Sequence, residues 1–231
     1  MLERQATAMS CRRAPASRGR SWSTAEIRGG RWFNPGGWLA CLLALTLLVA
    51  VGCGNEPRFE GGVVDQPKQA PPLEGINWTS EQFRLADLEG RVVVLFFGYT
   101  FCPDVCPFTL LKMKQIYAQL GDRAEELAVV YVSVDPHRDT LQKIASYVRG
   151  FDPRFYGVRL EFDELDQVID DFDLTVQYGQ PKDGPGSDSF YYVDHTGTYF
   201  LLDRQGRIRL QHPPNAKVEE LLPDIKTLLD E

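Results

Sequence analysis

The chain has 231 residues, of which 43% are apolar and 25% charged, the balance of a soluble globular protein and not of a polytopic membrane protein or a wholly disordered one. Its length supports one sizeable domain once leading segments are set aside. The net charge of −7 is unevenly spread: residues 1–52 carry seven Arg against Glu3 and Glu26, leaving 18 basic and 30 acidic side chains, a net −12, in residues 53–231. A surface that acidic repels phosphate backbones and excludes nucleic acid as a natural partner, while cations and basic protein surfaces suit it.

Residues 38–51 (WLACLLALTLLVAV) are almost entirely apolar, but these 14 residues fall short of the roughly 20 that a helix needs to cross a bilayer. Arg12, Arg13, Arg18, Arg20, Arg28 and Arg31 precede them, and Ala50, Val51 and Gly52 lead into Cys53 and a polar run. This is the layout of an export signal, so residues 1–52 are expected to be a signal peptide or membrane anchor, and the chain to work on the periplasmic or extracytoplasmic face of the cell envelope. AVGC resembles the lipobox of bacterial lipoproteins, although its first position is more usually Leu than Ala50; the resemblance implies lipidation of Cys53. An uncleaved anchor or a secreted form gives the same compartment. Residues 53–75 mix Gly, charge and Pro57, Pro67, Pro71 and Pro72 without periodicity, the composition of a flexible tether. The folded domain is expected over residues 76–231.

Residues 77–88 alternate loosely and end at Glu89-Gly90, which predicts a short hairpin. The run VVVLFF at residues 92–97 has no polar alternation, so both its faces must be covered, as in parallel or mixed sheets flanked by helices. Residues 98–107 form a loop. Leu110, Leu111, Met113, Ile116, Tyr117 and Leu120 then recur at helical spacing up to Gly121, with Met113 at a packing position. A second buried strand is expected at residues 127–134, closed by Asp135-Pro136, and a second helix at residues 140–149. This β-α-β-α order predicts a parallel pair of strands. A helix at residues 162–172, an exposed loop at 180–189, strand residues at 191–193 and 198–203, a turn at Gln205-Gly206, a return strand at 208–210 and a closing helix at 218–229 complete the chain.

Of five cysteines, Cys11 and Cys41 fall in the signal and Cys53 is the lipidation candidate, so Cys102 and Cys106 remain for the domain. As a disulfide staple they would close so short a loop that little chain entropy is restrained. Their place, after a buried strand and before a helix, puts backbone N–H groups and the helix dipole near the sulfurs and favours thiolate over thiol. Pro103 and Pro107 stiffen the CPDVCP loop, holding the sulfurs at a separation suited to a disulfide or to one shared soft metal ion. His137 is expected to be exposed and His212 to be a loop residue, neither of them a ligand. Asp135, Arg138 and Asp139 are expected to cap and brace the loop after the second strand, with Asp135 also placed where it can tune the cysteine site.

Three segments, GYTFCPDVCP at residues 98–107, VDPHRDT at 134–140 and VDHTGTYFLLDRQGRI at 193–208, closely resemble in order and spacing the Sco/SenC proteins, copper chaperones for cytochrome c oxidase assembly. The resemblance spans residues 76–229 and implies an α/β, thioredoxin-like fold: a central mixed sheet flanked by helices, with an added β-hairpin. It further implies that Cys102, Cys106 and His195 ligate copper; Asp194 is read either as an acceptor orienting the ring or as a solvated carboxylate. Two thiolates and an imidazole form a soft, low-coordinate set suited to Cu(I), and a neutral His nitrogen also accommodates Cu(II); catalytic zinc is the physical rival for such a set. The implied function is copper delivery to the binuclear copper site of cytochrome c oxidase subunit II by a membrane-anchored protein itself loaded by a copper donor protein. The alternative is a thiol–disulfide oxidoreductase of the envelope with Cys102 and Cys106 as its redox couple. A pure thioredoxin-type reductase carries C-x-x-C and has no need of His195, so C-x₃-C with that His points toward metal binding. A peroxidase or redox sensor on the same fold ranks last, for want of a further motif.

Overall fold

The computed structural model describes residues 59–183 and 190–231. The export segment and Cys53 lie outside the described residues. Among those described, no helix is long and apolar enough to cross a membrane.

The two apolar runs form the centre. Strand β4 (Val92–Gly98) and strand β5 (Leu127–Ser133) are buried along their whole length and pair in parallel from Val92 opposite Leu127 to Gly98 opposite Ser133. Because side chains alternate across a strand, β4 feeds two cores. Val92, Val94 and Phe96 pack with helix α1 (Val105–Leu120), helix α2 (Leu141–Arg149) and helix α4 (Val218–Asp230). Val93, Leu95 and Phe97 pack on the other face with Leu165 and Val168 of helix α3 (Phe162–Asp171) and with Phe172. Each fully buried side chain of this size contributes roughly 1.5–3 kcal/mol, which is why a strand without polar alternation belongs at the centre.

The remaining strands are β1 (Gly62–Gln69), β2 (Glu74–Asn77), β3 (Gln82–Arg84), β6 (Tyr156–Arg159), β9 (Tyr199–Leu202) and β10 (Arg207–His212), and they extend the sheet to the order β1-β10-β9-β4-β5-β6-β2-β3. β6 continues the parallel set beside β5, whereas β9 is antiparallel to β4. The outcome is the expected mixed sheet with helices on both faces and the β9–β10 hairpin. A separate two-stranded ribbon pairs β7 (Val176–Tyr178) with β8 (Val193–His195), setting Val176 opposite His195.

Three sequence expectations are corrected. Residues 62–75 are not tether: β1 pairs with β10, Leu73 is buried, and the N–H groups of Glu60 and Gly61 donate to Asp224 at 2.8 and 2.9 Å. The folded domain therefore begins well before Ile76. His212 is no loop residue; it ends β10, is buried, and its Nε2 lies 2.8 Å from Asp224 Oδ2. Helix α1 starts at Val105 rather than after Pro107, since proline in a first helical turn forfeits only an N–H that has no intrahelical partner. That shift brings Cys106 into the helix.

Candidate metal centre

The site forms at the C-terminal ends of β4 and β5, where α1 begins. The turn out of β4 is fixed by Asp139. Its carboxylate accepts Thr100 N–H at 2.9 Å, Thr100 Oγ1 at 2.5 Å and Ser133 Oγ at 2.7 Å. It thereby ties the cysteine loop to the end of β5, and burial raises its pKa against these hydrogen bonds. Cys102 N–H donates to the Tyr99 carbonyl at 3.1 Å, closing the turn. Behind it, Gly98 leaves no room for a side chain: a Cβ there would stand 2.7 Å from Cys106 Sγ and 3.0 Å from Tyr131 Cε2.

Both cysteines are free thiols, Cys102 partly exposed and Cys106 buried in the first turn of α1. Cys102 is drawn down to about 3, first by a hydrogen bond from Cys106 and, against the opposing cost of burial, by the His195 ring and the backbone N–H groups of Cys106 and Asp104. Cys106 moves the other way, because its S–H is held on the Cys102 sulfur and because burial disfavours a second anion. The pair therefore holds one proton on Cys106 and one negative charge on Cys102, the sulfur that reaches solvent.

His195 ends β8 and is partly exposed. Its Nδ1 lies 3.0 Å from the Thr196 carbonyl, and its ring meets the edge of Tyr99 at 5.8 Å between centroids. A carbonyl can only accept, so Nδ1 is the donor in this contact. The Thr196 carbonyl thus orients the ring, and Asp194 is exposed. His137 is exposed, as expected, and Met113 is wholly buried.

All three expected ligands thus share one neighbourhood with Cys102 as the common member, reached by both Cys106 and His195. Among the described residues, no three His, Cys, Asp or Glu side chains already stand at metal-holding separation. By donor chemistry the set fits a soft ion: a thiolate, a thiol that becomes one on losing its proton, and an imidazole nitrogen. Asp135, Arg138 and Asp139 do brace the loop, as the sequence indicated. The roles of Gly98 and Tyr99 were not foreseen; a glycine directly after an all-apolar strand was the available signal for the first.

The family described as SCO1/SenC matches residues 64–230. The chain belongs to the SCO1/SenC family. The match begins inside β1, in keeping with that strand's place in the fold. Among its SCO1/SenC relatives, the human mitochondrial SCO1 homolog is 32% identical over 166 residues, 71% of this chain and 54% of the human one. The bovine mitochondrial SCO2 homolog is 38% identical over 214 residues, covering 86% of this chain and 78% of its own length. This chain thus spans about half of the human SCO1 relative and more of the others. Of solved Sco structures, apo Sco1 from Thermus thermophilus superposes with a TM-score of 0.66 at 33% identity over 76% of this chain and 99% of that one. ScoI from Bradyrhizobium japonicum with copper bound gives 0.61 at 29% identity, covering 70% and 99%. The thioredoxin-like fold inferred from the motifs is the fold of these proteins.

Proposed function

We propose that this protein is a copper metallochaperone of the cell envelope, with Cys102, Cys106 and His195 as the copper ligands. The observation that carries the reading is the partly exposed Cys102 thiolate with Cys106 on one side and the His195 imidazole on the other. A related protein of known structure was solved with copper bound, and the donors here suit that ion. Cys106 must give up its proton as the ion arrives, and Cys102, already anionic, makes first contact. A low-coordinate site with an exposed sulfur also releases its ion readily, because an incoming thiolate from a recipient can enter before either cysteine has left. The recipient in this reading is the binuclear copper site of cytochrome c oxidase subunit II. A copper donor protein loads the chain, which lipidated Cys53 holds at the periplasmic membrane face.

The test uses the copper-loaded full-length chain in detergent, mixed with the metal-free soluble domain of subunit II. Copper found in the recipient after the two proteins are separated, with matching loss from the chain and with the recipient's visible binuclear-copper absorption appearing on subsequent oxidation, supports delivery. Absence of transfer under reducing, anaerobic conditions refutes it.

The divided protonation of the cysteines favours a second activity at the same atoms. The Cys102 thiolate attacks one sulfur of a recipient disulfide, an S–S bond forms, and the recipient's other sulfur leaves as a thiolate. Cys106, after losing its proton, attacks Cys102 Sγ, so that the chain ends as a Cys102–Cys106 disulfide and the recipient as two thiols. Two electrons pass to the recipient with the one proton that Cys106 gives up, and the recipient's second sulfur takes its proton from solvent. Reduction of the subunit II disulfide by the metal-free reduced chain, lost in Cys102→Ser, is the expected outcome.

A further inference from the structure

The ligands come from two separate pieces of the fold, the 98–106 turn and the β7–β8 ribbon, and one side chain bridges them. Arg138 is 5% exposed. Its Nε donates to Asp135 Oδ2 at 2.6 Å, and its Nη1 donates to the Tyr191 carbonyl at 2.9 Å, four residues before His195. The guanidinium lies 3.4 Å from the centre of the Tyr191 ring. On the cysteine side it faces Phe101, the residue before Cys102, at 5.0 Å, and Tyr99 at 5.7 Å; Tyr99 in turn meets the His195 ring edge-on. Asp135 completes the bracket by accepting the Tyr191 hydroxyl at 2.7 Å. Nη2 is buried with no hydrogen-bond partner among the described residues, a cost of about 1–3 kcal/mol.

We infer that Arg138 is a positioning residue for the metal centre: the planar guanidinium clamps the His195 ribbon to the cysteine turn and so sets the distance from the imidazole to the two sulfurs. The inference rests on the copper-site reading above. A lysine cannot replace this function, because its single ammonium cannot donate to Asp135 and to the Tyr191 carbonyl in one plane while stacking on a ring. Without the guanidinium the ribbon keeps its own pairing, the bonds from Tyr178 Oη to the Val134 carbonyl and from Tyr191 Oη to Asp135, the Tyr99–His195 ring contact and the burial of Val193, but loses the cation that holds Asp135, the Tyr191 carbonyl and the Phe101 ring together.

The test is a double-mutant cycle on the full-length chain, reduced and anaerobic, with Cu(I) affinity read against a competing chelator. Arg138→Lys keeps a cation opposite buried Asp135, and the thermal midpoint of the metal-free protein checks the fold. Arg138→Lys is expected to weaken binding by about 10- to 100-fold, the range for groups that orient metal ligands. In a His195→Ala background the same change should alter affinity by no more than about twofold, the scatter of independent sites. The Cu(II) complex of Arg138→Lys should also take on the absorption spectrum of His195→Ala. Full additivity of the two losses, or a parental affinity and spectrum in Arg138→Lys, overturns the inference while leaving the copper site standing. No tight binding by the parent fails the copper-site reading itself, and the inference with it. Should Arg138→Lys not fold, Phe101→Leu, at a ring 41% exposed, provides the same cycle from the cysteine side.

Discussion

Gly98 and Cys102 carry two residue-scale predictions. A methyl group at position 98 would meet Cys106 Sγ at 2.7 Å and Tyr131 Cε2 at 3.0 Å, both in buried side chains. Gly98→Ala should therefore destabilise the fold by about 1–3 kcal/mol, the cost of overpacking, and weaken Cu(I) binding as well; urea unfolding and chelator competition read the two effects. For Cys102, a thiolate that persists down to about pH 3 predicts that iodoacetamide labels it at a nearly constant rate from pH 8 to pH 5, whereas an ordinary thiol titrating near 8.5 slows about a thousandfold. Peptide mapping should place the label on Cys102 and leave Cys106 unmodified. The sign for stability follows: the folded pKa lies below the unfolded one, so this group's contribution is complete above the unfolded value and is lost as pH falls toward about 3. His195→Ala removes one of the groups that favour the anion and should move the labelling profile to higher pH. Cys102 and Cys106 stood out in the sequence as the cysteines left for the domain, whereas His195 was singled out by the family resemblance alone. The pocket behind Cys106 was not legible there, since no spacing rule reports where a sulfur presses on a distant glycine.

At the scale of elements, the segment least legible was β1. Its side chains are almost all exposed, so its sequence carries no apolar period; backbone pairing with β10 and the Asp224 contacts hold it in place. Pro67 falls where the register shifts between Val63 and Lys68, the position at which a strand tolerates a missing N–H. Asp224→Ala strands the His212 ring nitrogen and two backbone N–H groups, and should cost at least about 2 kcal/mol. Hydrogen exchange should then speed up across β1 while β4 and β5 stay protected. Similarly, Asp139→Ala leaves the Thr100 and Ser133 donors without their acceptor and should destabilise by about 1–3 kcal/mol, with the greatest added exchange in the cysteine turn. β4, β5 and the four helices were legible for the opposite reason: their burial is written in side chains, either as unbroken apolar runs or as the 3.6-residue period. The short strands β6 and β7 are each four residues or fewer, too brief to show a period.

Across the whole molecule, the sheet order sets the site. Parallel β4 and β5 end together, which puts the cysteine turn beside the Asp135–Asp139 loop, while the separate β7–β8 ribbon delivers His195 to the same edge. The mixed sheet with a hairpin was foreseen from β-α-β-α order and from the motif resemblance. How His195 reaches the cysteines was not, because it depends on Arg138 and Tyr191 packing across segments distant in sequence. The most direct test of the account is a Cu(I) titration of the reduced full-length chain against a competing chelator, repeated with Cys102→Ala, Cys106→Ala and His195→Ala. One tightly bound equivalent that is lost in both cysteine variants and weakened in His195→Ala is the predicted result. Absence of tight binding, or binding unchanged in all three variants, would contradict it.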